Sequence, residues 1–272
     1  MGFQQITHKL YTMKRRTFTK NLALGSLAVS TGMIQTEPVT HILTLSFDDG
    51  FRKSFHQIGE IFADNGMSAC LNVIAAGHLP EFERVDKWIK PKLMGDFEDW
   101  NTLKSKGHEV NLHSWKHLKL PDQPFAYAKE LIEKCVEYFK KNLDGYAYEE
   151  SVFNFPFNAS NPQLEDFVLT KVKALRTQGH TPYQANPFPS KDMSMKLGCW
   201  SHGPKNADEF VETRIQEFLK TDGGWLILNL HGLNKEGWGP ISKKYLTTLL
   251  PRLRLIKQLE VLPTGMVIKK YS

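Results

Sequence analysis

The segment His41-Ile42-Leu43-Thr44-Leu45-Ser46-Phe47-Asp48-Asp49-Gly50 is the clearest indication of the fold. Residues 41–47 have the length and apolar content of a buried strand, and Asp-Asp-Gly is typical of a turn. Residues 51–65 then carry apolar side chains at helical spacing and stop before Gly66, a residue that favours helix termination. A strand that passes through a polar turn into a helix is the repeating unit of an α/β protein.

The same alternation continues along the chain. Apolar runs predict further strands, and amphipathic stretches between them predict helices. Strand alternating with helix favours a parallel sheet, either open or closed into a barrel. The further strands are expected at 68–74, 108–112, 151–155, 171–176 and 225–230, with a closing strand at Met266–Lys270, and the helices at 96–106, 127–142, 206–221 and 242–258.

Polar residues follow several of these strands directly. Asp48-Asp49 follows the first strand, His113 follows the third, Phe157-Asn158 follows a later one, and His231 follows the strand at 225–230. In parallel barrels the functional residues lie at the carboxyl ends of the strands. We therefore expect these side chains to meet in one site.

The residue types in these positions suit a metal-dependent hydrolase. His113 and His117 are four residues apart, so on a helical turn they share one face. Two histidines and one carboxylate form a three-ligand set that leaves an open position on zinc. With two adjacent aspartates, one can bind the metal while the other accepts a proton from water.

Composition and charge exclude other classes. The chain has a net charge of +6, but five of its positive charges precede Glu37 and no negative charge offsets them, which leaves +1 for the rest. A nucleic-acid partner is not expected, because the body has no basic patch interleaved with aromatic residues. The three cysteines, Cys70, Cys135 and Cys199, are far apart and are expected to be buried thiols.

The first 36 residues are predicted to be an export signal that is removed. Arg15-Arg16 within Lys14–Lys20 precedes a short apolar stretch at 21–34, which resembles a twin-arginine signal. The alternative is a disordered basic tail or an uncleaved anchor. We expect a periplasmic or extracellular protein that contacts the membrane only through this signal, with one catalytic domain at 37–272.

Four segments of the chain resemble the signatures of the polysaccharide deacetylase family (the NodB homology domain, carbohydrate esterase family 4). Ser46–Gly50 resembles the first signature and His113-Ser114-x-x-His117 the second. Phe155-Pro156-Phe157 stands where an Arg-x-Pro-Tyr-like segment is expected, and Leu230-His231-Gly232 matches the last. The family resemblance implies a distorted (β/α) barrel with about seven parallel strands.

The resemblance also implies roles for individual residues. Asp49, His113 and His117 would hold one divalent metal ion, expected to be zinc. Asp48 would be the general base, His231 the general acid, and the backbone N–H of Phe157 an oxyanion donor. The substrate would be an acetylated poly- or oligosaccharide that loses N- or O-acetyl groups.

The third signature departs from the family pattern. Asn154 or Phe155 stands near the position where many members have an arginine that orients the catalytic aspartate, and Arg176 is a candidate to replace that cation. Residues 77–95 and 178–197 are expected to shape the substrate groove. Candidate substrate-binding residues are Trp115, Pro156, Asn158, Arg176 and Trp238.

Two other functions remain open at this point. The same site could hydrolyse a non-sugar amide, or the degenerate third signature could mark a carbohydrate-binding pseudoenzyme that has lost turnover.

Overall fold

The computed structural model describes residues 1–2, 38–83, 87–181 and 183–272. Residues Thr36–Ser272 form a compact unit. The predicted export signal at 1–36 lies outside the described residues apart from its first two. Among the helices of the described residues, none is long and apolar enough to cross a membrane.

Strands and helices alternate along the described chain, as the apolar pattern predicts. The strands are β1 (His41–Phe47), β2 (Cys70–Val73), β3 (Glu109–Leu112), β4 (Val152–Asn154), β5 (Ala174–Gln178), β6 (Lys196–Ser201), β7 (Gly224–Leu230) and β8 (Leu259–Val261). The helices are α1 (Arg52–Asp64), α2 (Phe97–Ser105), α3 (Phe125–Asn142), α4 (Pro162–Leu169), α5 (Ala207–Phe218), α6 (Lys243–Arg254) and α7 (Thr264–Tyr271).

Seven parallel strands close into a barrel, which confirms the predicted fold class. Neighbouring strands from β2 to β7 pair in chain order, and β7 pairs with β1 along its whole length. On its other edge β1 pairs first with β8 and then, through Ser46 and Phe47, with β2. The pairing of β1 with both β2 and β7 closes the barrel, and β8 is an additional strand beside β1.

Side chains alternate between the two sides of the barrel wall. On β1, Leu43, Leu45 and Phe47 belong to the large apolar cluster that the flanking helices contribute to. Ile42 faces the other way and packs with Trp225, Val267 and other residues in a second apolar cluster. Because Val267 belongs to α7, this helix covers the end of the barrel where the strands begin.

The interior is polar at the opposite end. Asn72, Asn154, Arg176 and Asn229 are all buried, although each belongs to a strand that is otherwise mostly apolar. Buried polar groups of this kind need hydrogen-bond partners, so they form a connected network. This network underlies the carboxyl end of the barrel, where the candidate site lies.

Some predicted elements were wrong or missing. Met266–Lys270 is part of helix α7 and not a closing strand. Short apolar runs do not distinguish a strand from a buried helix, and here the run lies in a helix that begins at Thr264, after Pro263 at its N-cap. Strands β6 and β8 and helix α4 were not predicted. All three cysteines are free and buried, as expected.

Candidate metal and catalytic site

The turn after β1 brings both aspartates into the same cavity. The backbone N–H of Asp48 donates to the carbonyl of Leu230 at 2.9 Å, which fixes the end of β1 against β7. Asp49 has φ 83° and Gly50 φ 95°. Adjacent residues of a strand point to opposite sides, but the left-handed backbone at Asp49 redirects its side chain to the cavity that Asp48 also lines.

The two histidines follow β3 in a loop and not in a helical turn, so this part of the sequence interpretation was wrong. Ser114 has φ 64° and His117 φ 57°, which a helix does not allow. The Ser114 hydroxyl accepts a hydrogen bond from the His117 backbone N–H at 2.9 Å and stabilises the loop. The two imidazoles still meet, with ring centroids 5.0 Å apart.

His113 is oriented by a contact on the side of its ring away from Asp49. Its Nδ1 lies 2.9 Å from the carbonyl oxygen of Asn154. Because a carbonyl only accepts, Nδ1 carries a proton, and in the neutral imidazole Nε2 is then the nitrogen with the lone pair. Nε2 lies 3.5 Å from Asp49 Oδ1, in the position of a metal ligand whose outer nitrogen is held by a backbone carbonyl.

Asp49, His113 and His117 form a group that could hold a metal ion. One ligand atom from each lies within 4.8 Å of the others, and all three residues are buried. Asp49 Oδ1 is buried and makes no hydrogen bond within the described part of the chain, although His117 Nε2 lies 3.4 Å away. A buried carboxylate oxygen that faces two imidazole nitrogens without a hydrogen bond fits metal coordination.

The charges of this group favour the ionised form of Asp49. Burial by itself would raise the pKa of Asp49, but the imidazoles of His113, His231 and His117 outweigh burial and hold this pKa below its usual range. A carboxylate that stays ionised is the form that binds a cation.

Asp48 is held by three donors from three different strands. Its Oδ2 accepts from Arg176 Nη2 at 2.5 Å and from Asn229 Nδ2 at 2.7 Å. Its Oδ1 accepts from Asn72 Nδ2 at 2.7 Å. Burial would raise the pKa of Asp48, but Arg176 and then His113 outweigh burial and hold this pKa below its usual range. Asp48 is therefore an ionised, oriented carboxylate beside the His-Asp group.

These side chains line a cavity of about 370 Å³. Phe157, 50% exposed, places its ring 4.7 Å from that of His117, measured between centroids. His231 lies edge-on to Trp238 at 5.7 Å, and its Nδ1 has no hydrogen-bond partner among the described residues. The lining consists of Asp48, Asp49, Trp88, Ile89, His113, His117, Phe157, Asn158, Ser201, Asn229, His231 and Trp238.

Strained backbone is concentrated around this cavity. A residue other than glycine with a left-handed backbone costs on the order of 1–3 kcal/mol, so such residues persist where the surroundings enforce them. The observed concentration points to a site that is built at the expense of stability. The non-glycine residues with positive φ at the site are Asp49, Ser114, His117, Phe157 and Asn158.

Some of the predicted substrate-binding residues line the cavity and others do not. Asn158 and Trp238 line the cavity, whereas Trp115, Pro156 and Arg176 do not. Trp115 is buried against Tyr138, and the Arg176 guanidinium lies behind Asp48. Of the two segments expected to shape the groove, 77–95 contributes Trp88 and Ile89. Described residues of 178–197 instead line a separate open depression of about 960 Å³ beside β5, β6 and α5.

Four of the lining residues were not predicted individually from the sequence. Asn229 carried a signal that could have found it, because it is the one polar residue in the apolar run Trp225–Leu230. Ser201 ends β6, a strand that was not predicted. Trp88 and Ile89 lie in a loop whose sequence has no periodic pattern.

Comparison with known proteins places this geometry in a family. The family described as polysaccharide deacetylase matches residues 36–174. No curated protein matches the chain.

Solved structures share the fold at low sequence identity. A Mycobacterium smegmatis protein assigned as a polysaccharide deacetylase has a TM-score of 0.62 at 10% identity, covering 86% of this chain and 91% of that one. A family 4 acetyl xylan esterase from Clostridium thermocellum, in complex with cobalt, has a TM-score of 0.54 at 14% identity, covering 84% and 91%. Peptidoglycan deacetylase PdaC from Bacillus subtilis has a TM-score of 0.52 at 16% identity, covering 85% of this chain and 92% of that one.

The family match spans just over half of the chain and includes Asp48 as well as Asp49, His113 and His117 of the Asp-His-His group. The chain belongs to the polysaccharide deacetylase family, the hydrolases of carbohydrate esterase family 4.

Proposed function

We propose that this protein is a metal-dependent hydrolase that removes N- or O-acetyl groups from a poly- or oligosaccharide. The observation that carries the proposal is the placement of an oriented carboxylate, Asp48, beside the group formed by Asp49, His113 and His117. Asp48 Oδ2 lies 3.6 Å from His113 Nε2, and all four residues line one cavity.

The metal ion in this proposal is zinc, held by Asp49, His113 and His117. A carboxylate with two imidazoles is a ligand set that zinc uses in hydrolases. The chemistry that a divalent cation supplies at such a site is Lewis acidity, which polarises a carbonyl and makes water more acidic.

Asp48 acts as the general base. Its Oδ2 accepts two hydrogen bonds and its Oδ1 one, so Oδ1 keeps a lone pair that can accept a proton from the attacking water. The water oxygen then forms a bond to the acetyl carbon, whose carbonyl oxygen becomes an oxyanion. The donors that hold Asp48 fix the direction of this proton transfer.

The backbone N–H of Phe157 is the proposed donor to this oxyanion. Asn158 N donates to the Phe155 carbonyl at 3.0 Å, which is the first hydrogen bond of the turn. The N–H of Phe157 precedes this bond and therefore has no acceptor within the turn. A preorganised donor of this kind lowers the barrier by about 3 kcal/mol.

His231 is the proposed general acid. It lines the cavity together with Asp48, and Trp238 packs against its ring. His231 would donate a proton to the nitrogen or oxygen of the sugar as the bond to the acetyl carbon breaks. Acetate and a free amine or hydroxyl group would then leave. Trp238 and Asn158 at the cavity wall are the candidates to contact the sugar ring, since amphipathic aromatic faces suit sugars.

The proposal is tested by acetate release from a panel of N- and O-acetylated glycans and acetylated non-sugar amides. Wild type is compared with Asp48→Asn and with His180→Ala, an exposed histidine outside the cavity. Release from glycans that Asp48→Asn abolishes and His180→Ala preserves supports the proposal. Release from the non-sugar amides alone would favour an amidase, and glycan binding without release would favour a pseudoenzyme.

We also propose that residues 1–36 export the folded protein through a twin-arginine route. The basis is the Arg15-Arg16 pair followed by a short apolar stretch. The test is cell fractionation of the full chain beside an Arg15→Lys/Arg16→Lys variant. Export of the variant at the wild-type level would contradict the proposal.

A further inference from the structure

Three polar side chains form one wall of the candidate cavity, here called the polar wall. They are Ser201 at the end of β6, Asn229 on β7 and Asn158 in the turn after β4, and all three line the cavity. Ser201 and Asn229 are directly paired in the parallel register of β6 and β7, so their side chains lie on the same side of the barrel wall. Asn158 Nδ2 lies 3.2 Å from Asn229 Oδ1 and 3.3 Å from Ser201 Oγ, and therefore connects the two strands.

The charge of Asp48 fixes the direction of the hydrogen bonds in the polar wall. An ionised carboxylate only accepts, so the Asn229 atom that lies 2.7 Å from Asp48 Oδ2 is the nitrogen Nδ2. The same nitrogen donates to the carbonyl of Leu230 at 3.2 Å, which also only accepts. Asn229 Oδ1 is therefore turned toward Asn158, and the Asn158 atom that faces it must be the donor Nδ2.

The backbone of Asn158 is held on both sides of its side chain. Its N–H donates to the carbonyl of Phe155 at 3.0 Å, and its carbonyl oxygen accepts from the hydroxyl of Thr177 at 2.9 Å. A reversed side-chain amide would place two acceptor oxygens, those of Asn158 and Asn229, against each other. The orientation of Asn158 Nδ2 is therefore set by the protein itself.

This orientation leaves the hydroxyl proton of Ser201 without a protein partner. An amide nitrogen does not accept, so Ser201 Oγ is the acceptor in its contact with Asn158. Within the part of the chain that the structure describes, this is the one hydrogen bond of Ser201 Oγ, and Ser201 is partly exposed at the cavity. Because the oxygen already accepts and the proton is free, Ser201 offers a hydrogen-bond donor to a molecule in the cavity.

We propose that Ser201 is a substrate-binding residue, which donates a hydrogen bond to an oxygen atom of the sugar. The hydroxyl, ring and glycosidic oxygens of a sugar all accept hydrogen bonds, whereas the hydrocarbon part of a sugar-free acetyl compound does not. The contact therefore favours acetylated glycans over sugar-free acetyl esters and amides. This inference rests on the proposed function, because it places an acetylated glycan in the cavity.

The test measures hydrolysis of an N-acetylglucosamine oligomer, an acetylated xylose oligomer and the sugar-free ester 4-nitrophenyl acetate by the metal-loaded protein. A neutral hydrogen bond that forms equally in the ground state and the transition state affects binding alone. Ser201→Ala should therefore raise KM about 5- to 10-fold for the oligomer that wild type cleaves, with kcat unchanged. Hydrolysis of 4-nitrophenyl acetate should stay at the wild-type level.

Two further variants separate the hydroxyl from the fold. Ser201→Thr keeps the hydroxyl and should restore KM for the oligomer to about the wild-type value. Ser105→Ala is the matched control, because Ser105 is an exposed serine at the end of α2 and outside the cavity. A wild-type KM in Ser201→Ala would overturn the inference. An equal loss on 4-nitrophenyl acetate would also overturn it, because Ser201 would then act through the structure of the site and not through the sugar.

A readout independent of turnover is the Kd of the deacetylated oligomers for the metal-loaded protein, measured by calorimetry. This Kd should rise about 5- to 10-fold in Ser201→Ala and stay at the wild-type value in Ser105→Ala. If wild type binds an oligomer but releases no acetate from its acetylated form, the proposed hydrolysis is refuted, and the Kd still decides whether Ser201 contacts the sugar. Wild type that neither binds nor cleaves either oligomer would overturn both proposals.

Discussion

The pair formed by Asp48 and Arg176 makes a quantitative prediction about stability. Each residue is almost fully buried, and the guanidinium has Asp48 as its charged partner. Removing one member, by Asp48→Asn or by Arg176→Met, leaves the other as an uncompensated buried charge. Each change should therefore lower the free energy of unfolding by about 3–5 kcal/mol. A domain of ordinary stability, about 5–15 kcal/mol, can remain folded after such a loss.

The double variant Asp48→Asn/Arg176→Met should cost less than the sum of the two single changes, by the energy that couples the two residues, because it leaves neither charge behind. We expect a coupling energy of about 2–3 kcal/mol, at the upper end of that observed for contacting residues. The exposed pair Glu212–Arg252, whose atoms lie 2.7 Å apart, is the control and should show a coupling of at most about 1 kcal/mol.

The assay is urea unfolding at pH 7 in the presence of a chelator, followed by tryptophan fluorescence, so that metal binding does not contribute to stability. The free energies of unfolding can be compared directly if the dependence of the unfolding free energy on urea concentration has the same slope in all variants. If the losses of unfolding free energy at Asp48 and Arg176 add up in the double variant, within the error seen for the control pair, the two residues do not stabilise each other as a buried ion pair.

Three further predictions concern single groups. Phe157→Gly should keep most of the acetate release at wild-type KM, because the backbone N–H remains and φ 58° suits glycine; a loss as large as that of Asp48→Asn would exclude the backbone donor. His231→Ala should lower kcat while the metal content stays at the wild-type level; an unchanged kcat would mean that another residue is the general acid. Burial raises the pKa of Glu109 to about 7 from an unfolded value of 4.5, so its protonated form stabilises the fold below pH 4.5 and this stabilisation is lost as the pH rises through 7. The Tm of Glu109→Gln should therefore exceed that of wild type at pH 8 by more than at pH 5, and a pH-independent difference would contradict this.

Local sequence signals predicted most of the barrel. The strand at His41–Phe47 and its helix at 52–64 were clear, because a buried run, a turn and an amphipathic stretch follow one another without ambiguity. Lys196–Ser201 gave no such signal, since glycine, serine and lysine interrupt its apolar residues. Met266–Lys270 gave a misleading one, because an apolar run of this length suits a strand as well as a buried helix.

The candidate site was predictable as far as its residues stand in recognisable motifs. Asp48, Asp49, His113, His117 and His231 were identified in this way, and the structure places them around one cavity. The loop conformation of the two histidines could not be predicted, because left-handed backbone at Ser114 and His117 is imposed by tertiary contacts.

Contacts between residues that are far apart in the chain could not be predicted from the sequence either. Arg176 and Asp48 are 128 positions apart, and only the closed barrel shows that they meet. The sequence suggested both a cation beside Asp48 and a contact with substrate for Arg176, and in the structure Arg176 is buried and contacts Asp48.

We propose that Asp49, His113 and His117 hold a divalent metal ion that acetate release requires. Measuring metal content and acetate release on the same samples tests this proposal. Wild type, His113→Ala and the control His180→Ala are compared after metal reconstitution. The proposed metal site predicts about one divalent ion per chain in wild type and in the control, and loss of both the ion and acetate release in His113→Ala. Acetate release that persists in His113→Ala, or after removal of the metal from wild type, would contradict it.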